Sequence, residues 1–148
     1  MTVLAAVDST GYKIVLLLHV VCAVVAFAPA FMTFLLSRAA QKGDPGAGAV
    51  LAEGLQRLAL PAMGLAGVLG YGLVGMSDKQ FAMSQAWVSV AGVAWLALLA
   101  VTAFLTRPAA KALAAGVESA RSKVMMSTGI THLLFLVLIA MMVFKPGA

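Results

Sequence analysis

Four stretches of this chain, residues 12–36, 58–76, 87–105 and 124–144, are apolar, and their central portions contain no Asp, Glu, Lys or Arg. Each is close to the ~20 residues a helix needs to cross ~30 Å of hydrocarbon. Lipid offers no partner to a backbone N–H or C=O, so a spanning segment has to pair those groups within itself, as a helix does. The alternation of a membrane β-barrel is absent from these runs. The expected fold is therefore all-α: a single-domain, four-helix transmembrane bundle whose first partner is the lipid bilayer. Composition agrees with this. The chain has 148 residues, 63% of them hydrophobic and 10% charged, against about 25% charged in a soluble domain.

The segments between the runs carry nearly all the charge. Ten basic residues face five acidic ones, but they lie where headgroups would meet them, so no nucleic-acid partner is expected. Arg38, Lys42, Arg57, Arg107, Lys111, Arg121 and Lys123 fall in the first and third loops, and Lys13, Lys79 and Lys145 on the opposite side. The positive-inside rule then puts the two larger loops in the cytoplasm and both termini outside. Tyr12, Phe81, Trp87 and Phe144 are expected near the outer interface. Lys13, the apolar run after it and Ala26-Phe27-Ala28 imitate a cleaved signal weakly. Apolar character continues through Leu36, so the expected element is a retained first span.

Helix boundaries can also be read. The first helix is expected to stop near Gly43, with Asp44 as N-cap and Pro45 at the first position of the next. That helix is expected to start on the membrane surface, carrying Glu53 and Arg57, and to enter the bilayer near Pro61. A short surface helix starting at Pro108 is expected in the Ala-rich link 107–123. Pro29 and Pro61 should kink their spans, because each lacks a donor and clashes with a preceding carbonyl.

No catalytic motif is present. All five acids lie in tails, loops or headgroup-level segments, whereas ion-driven transporters need carboxylates within the membrane. The ionisable side chains deep in the spans are two imidazoles, His19 and His132. In its neutral form an imidazole keeps one nitrogen free to bind a metal or accept a proton. His19 shares a helix face with Tyr12, Ala23, Ala26, Ala30 and Thr33, a small-residue stripe suited to another helix or a flat ligand. His132 shares its face with Met125, Thr128, Leu136 and Ile139. The expected chemistry is haem b, or a similar planar cofactor, held through His19 and His132, since helical bundles build cofactor sites from inward side chains. A rise of ~1.5 Å per residue puts the two rings about 10 Å apart in depth. The competing structural expectation is that each imidazole only hydrogen-bonds a neighbouring helix.

Other features have bland and functional readings too. Gly64, Gly67, Gly70, Gly72 and Gly75 enrich the second span, which favours tight helix packing. They could equally form a slot for a planar ligand with the Tyr71 hydroxyl as polar handle. Gln85, Ser89 and Gly92 are expected to face the bundle, and Trp95 could face either core or lipid. Cys22 lies three residues from His19, and two soft ligands are too few for a closed metal site. The nine methionines admit copper(I) binding but are ordinary packing residues as well.

The start of the first span, Lys13-Ile14-Val15-Leu16-Leu17-Leu18-His19, resembles the opening of a bacterial family of small integral membrane proteins with no assigned function. The end, Leu138-Ile139-Ala140-Met141-Met142-Val143-Phe144-Lys145-Pro146, resembles that family's closing motif, Met-Val-x-Lys-Pro. The resemblance covers most of the chain and implies a bacterial cytoplasmic membrane. A looser likeness ties the early histidine to copper-resistance membrane proteins of the CopD type and to the haem-dependent protoporphyrinogen oxidase of the HemJ type. In the latter a first-span histidine binds haem, which carries over only to His19. Ala26-Phe27-Ala28-Pro29-Ala30 replaces the aromatic-Val-Gly that often follows that histidine, and the oxidase's intramembrane lysine is absent. The two intramembrane imidazoles make the leading expectation a non-enzymatic integral membrane protein that binds haem or a similar planar cofactor through His19, with His132 as second ligand. A structural or accessory subunit of a larger complex or homo-oligomer is the second expectation, and a membrane oxidoreductase or copper-handling protein the third.

Overall fold

The computed structural model describes residues 7–42, 44–78 and 80–147. Helix α1 is Thr10–Gln41. It begins where Ser9 Oγ accepts the Tyr12 N–H at 3.2 Å, satisfying one of the first-turn donors that a helix leaves unpaired. Helix α2 is Pro45–Gly54. Asp44 is its N-cap, taking the Gly46 N–H at 2.9 Å, with Pro45 in the first turn as expected. Helix α3 is Leu60–Gly75, α4 Ala86–Ala100, α5 Arg107–Ala114 and α6 Ala120–Phe144.

The helix starting at Pro45 runs on into the second span as expected, whereas the surface helix expected from Pro108 is not separate. A π-helical turn, Leu55–Ala59, joins α2 to α3, and another, Val101–Thr106, joins α4 to α5. The chain is thus four continuous rods, all long and apolar enough to span a membrane, of 31, 30, 29 and 25 residues. The reason lies in the prolines. The residue before each donates five residues back, Leu60 N–H to Leu55 O and Arg107 N–H to Thr102 O. The wider turn moves carbonyls away from the rings of Pro61 and Pro108 without breaking the helix. Pro29 is likewise contained within an unbroken α1. Its ring packs beside Gly54 of α2, where an added methyl group would lie 3.6 Å from Cγ, an ordinary contact.

Exposure shows which solvent these rods suit. Val93 is 69% exposed, Phe104 77% and Leu133 62%, while the buried cluster is rich in alanine, including Ala26, Ala59, Ala62 and Ala110. Small residues bring backbones close, which is how helices associate where lipid removes any hydrophobic drive. The protein is accordingly a multi-pass membrane protein with a four-helix bundle.

Neighbouring rods are antiparallel. Ser37 meets Met125, Phe31 meets His132 and Phe27 meets Phe135 in succession along α1 and α6. Arg107 Nη2 donates to Gln56 Oε1 at 2.9 Å, tying the two π-turn rods together. The seven basic residues of the first and third loops therefore gather at one end of the bundle. Hydroxyls are buried in that half (Thr33, Ser37, Thr102, Thr106, Ser127, Thr128, Thr131), most of them bonded to carbonyls of their own helices. Among the described residues the opposite half has Ser77 as its one buried Ser or Thr, and it is there that the helices leave space.

Candidate functional site

Two of the glycines of helix α3, Gly67 and Gly70, explain the site. The Cα–Cβ bonds of a helix tilt toward its N-terminus, so a side chain covers the turn before it. A glycine therefore uncovers the carbonyl four residues earlier. Gly67 uncovers Met63 O, and Trp95 Nε1–H from α4 donates to it at 2.8 Å. Gly70 uncovers Ala66 O, and His19 Nδ1 from α1 lies 2.7 Å from it. A methyl group at Gly67 would come within 2.0 Å of the Trp95 indole, and one at Gly70 within 3.1 Å of His19 Cε1. The reverse contact completes the set: Tyr71 from α3 places its hydroxyl where a methyl at Gly92 of α4 would be. The Tyr71 and Trp95 rings meet edge-on at 6.1 Å.

The His19 bond fixes a tautomer. A carbonyl only accepts, so the proton of that bond sits on Nδ1, and in the neutral ring Nε2 keeps its lone pair. A backbone carbonyl holding one imidazole nitrogen is the usual way a metal-binding histidine is oriented through the other.

His19 and Tyr71 line a cleft of about 440 Å³ in the half of the bundle away from the basic end. Its floor is the stacked pair Phe27–Phe135, ring centroids 3.5 Å apart. Beyond that pair, Leu16, Val20 and Val24 of α1 and Ile139 and Met142 of α6 all line the cleft and are all exposed. The cleft thus opens sideways, toward lipid, between α1 and α6. At its far end stand Tyr12, Phe81, Trp87 and Lys145. The link carrying Phe81 is pinned by Ser77, whose Oγ accepts the Phe81 N–H at 3.0 Å and donates to Val74 O at 2.7 Å. Gln85 Oε1 accepts from Trp87 Nε1–H at 3.0 Å.

The predicted residues meet this geometry unequally. The inward stripe of His19 is realised: Tyr12, Ala26, Ala30 and Thr33 are buried and Ala23 half-buried. His132 is not among the residues lining the cleft. Its Nδ1 bonds Thr128 O of its own helix at 2.8 Å, and its ring meets Phe31 edge-on at 5.3 Å. Phe31 lies twelve residues from His19, about 18 Å along α1, more than the 10 Å read from the sequence. Two nitrogens on one iron stand only about 4 Å apart, given metal–nitrogen bonds of about 2 Å. The structure therefore puts His19 and Tyr71 on the wall of one cleft but leaves His132 on another level. The glycine slot expected beside Tyr71 is filled at Gly67 by Trp95. Gln85 is half-buried and Gly92 buried, while Ser89 faces outward. Among the described residues no group of three or more His, Cys, Asp or Glu is placed to hold a metal ion.

Sequence reasoning missed the roles of Trp95, Phe27, Phe135 and Lys145. The three aromatic residues could be read only as apolar members of spans. Trp95 and Gly67 lie on different helices, and no periodicity connects them. Comparison with protein families, with characterised proteins and with solved structures finds no match to this chain.

Proposed function

We propose that this membrane protein holds haem b, or a planar cofactor of similar size, in the lateral cleft, with His19 Nε2 as its one axial ligand. The observation that carries the reading is the His19 Nδ1···Ala66 O bond, which orients the ring and leaves Nε2 free in an apolar cleft. The donor set fits: one imidazole nitrogen, aromatic walls and a volume within the ~300–1,000 Å³ usual for small-molecule sites. Tyr71 and Trp95 would form one wall, with the Trp95 N–H already committed to Met63 O. Haem, when bound, supplies one-electron and gas-ligand chemistry that the chain's own residues lack. His132 is assigned no ligand role. It serves α6 by holding its ring against Phe31. The resemblance noted above supports a bacterial cytoplasmic membrane, and the gathered basic residues support the orientation with both termini outside.

The test is a haemin titration of the detergent-purified protein followed in the visible spectrum. A saturable Soret band is expected, lost in His19→Ala and retained in His132→Ala. A band that persists in His19→Ala, or none in the parent protein, overturns the reading.

A second reading, an accessory subunit or homo-oligomer, is favoured by a different face of α3. Methyl groups at Gly64, Gly72 and Gly75 would meet nothing within 4 Å, and Val68 between them is 65% exposed. This small-residue face points out of the bundle, whereas Gly67 and Gly70 are used inside it.

A further inference from the structure

Lys145 is the one formally charged residue among those lining the cleft. It follows the last residue of α6 with φ 41, a left-handed conformation that ends the helix, and its N–H returns to Met141 O. Its ammonium lies 4.3 Å from the centroid of Phe81 and 5.9 Å from that of Trp87. Those ring faces attract the cation, but they accept from only part of a group with three N–H donors. Among the described residues the ion pairs are Lys13–Asp8 and Arg57–Glu53, so no carboxylate there neutralises Lys145. The rest of the cleft wall is apolar or aromatic apart from the tips of His19, Tyr12 and Tyr71. One fixed cation at the interfacial end of a long apolar cleft is the complement of an amphiphile with an anionic head.

We propose that the cleft's ligand carries a carboxylate that pairs with Lys145, its apolar body running inward past His19 toward Phe27 and Phe135. The head would stand level with Tyr12, Phe81 and Trp87, where interfacial water still reaches it, and the body would enter sideways from lipid between α1 and α6. The inference rests on the cleft being a ligand site and deepens the cofactor reading, since haem b carries two propionates; it does not require that the ligand be haem.

The chain's two tryptophans, Trp87 and Trp95, both line the cleft, so occupancy can be read from their fluorescence. The full chain in phosphatidylcholine nanodiscs is titrated with dibrominated stearate and, separately, with its methyl ester, at mildly alkaline pH. Bromine quenches on contact. The acid is expected to quench saturably at roughly tenfold lower mole fraction than the ester, the scale of one charge-assisted contact. Lys145→Met should raise the acid's half-saturation to that of the ester, and Lys145→Arg should restore it, with circular dichroism confirming helix content in both variants. Equal quenching by acid and ester in the parent protein, or an acid curve unchanged in Lys145→Met, overturns the proposal. The Soret titration fails or succeeds separately. Haem binding with no preference for the acid removes the Lys145 assignment alone, and a preference for the acid without haem binding removes the haem assignment alone.

Discussion

At the scale of single residues, the site depends on hydrogen atoms standing where side chains would. Gly67 and Gly70 let two rings from different helices lie on α3 and bond its carbonyls, and Gly92 of α4 leaves room for the Tyr71 hydroxyl. Gly67→Ala should therefore push the Trp95 ring off Met63 O and cost about 1–3 kcal/mol, the usual scale of overpacking. Gly64→Ala, which meets open space, should be neutral or slightly stabilising because alanine favours the helix by up to ~1 kcal/mol. Thermal unfolding of the two variants in detergent checks this; equal midpoints would show that Trp95 yields freely. His19's inward face was legible because a 3.6-residue period sorts one helix into faces. The glycines' partners were not, because spacing signals close approach without saying whether a backbone or a ring approaches. His132 illustrates the same limit. Its helix face could be listed, but which part of α1 lies opposite depends on how two rods align.

Elements show where local rules hold and where packing overrides them. The break at Asp44-Pro45 followed from capping chemistry and is found as expected. Pro61 was read as the point where a continuous helix enters the bilayer, and the helix is continuous there; Pro108 was read as a helix start, yet the chain passes through it as helix. A π turn stands ahead of each, which a sequence pattern does not distinguish from a break. Each π turn inserts one residue, rotating the basic-end segment by about 100° relative to the span, given 3.6 residues per turn. Pro61→Ala should let the turn close into α-helical register and carry Gln56 away from Arg107. Cysteines at those two positions, in a Cys22→Ser background, are expected to join through a short bis-thiol reagent in the Pro61 protein and to lose that reaction in Pro61→Ala. Unchanged cross-linking would mean that contacts with α1 and α5, rather than the proline, hold the π turn.

For the molecule as a whole, the bundle itself was the most legible feature, because a bilayer leaves a chain of four apolar runs few alternatives. The cleft was not legible. It exists because α1 and α6 meet at Phe27–Phe135 and at Phe31–His132 but leave space beyond, a property of rod alignment that no single run records. The outward Gly64–Gly72 face belongs to this scale too. If it seats a second chain, Gly72→Leu should abolish co-purification of that partner or shift the detergent-corrected mass from oligomer to monomer, while leaving a Soret titration intact. A monomeric parent protein that isolates without a partner would dispose of the accessory reading.

If the cleft is a ligand site, its sideways opening also sets how occupancy is controlled. A ligand that arrives through a window between helices never has to be dissolved in water. The quantity that fills the site is its abundance among the lipids of one leaflet, where partitioning has already concentrated it. A modest intrinsic affinity would then suffice for full loading, and apparent affinities measured in different detergents should differ simply because each micelle dilutes the ligand differently.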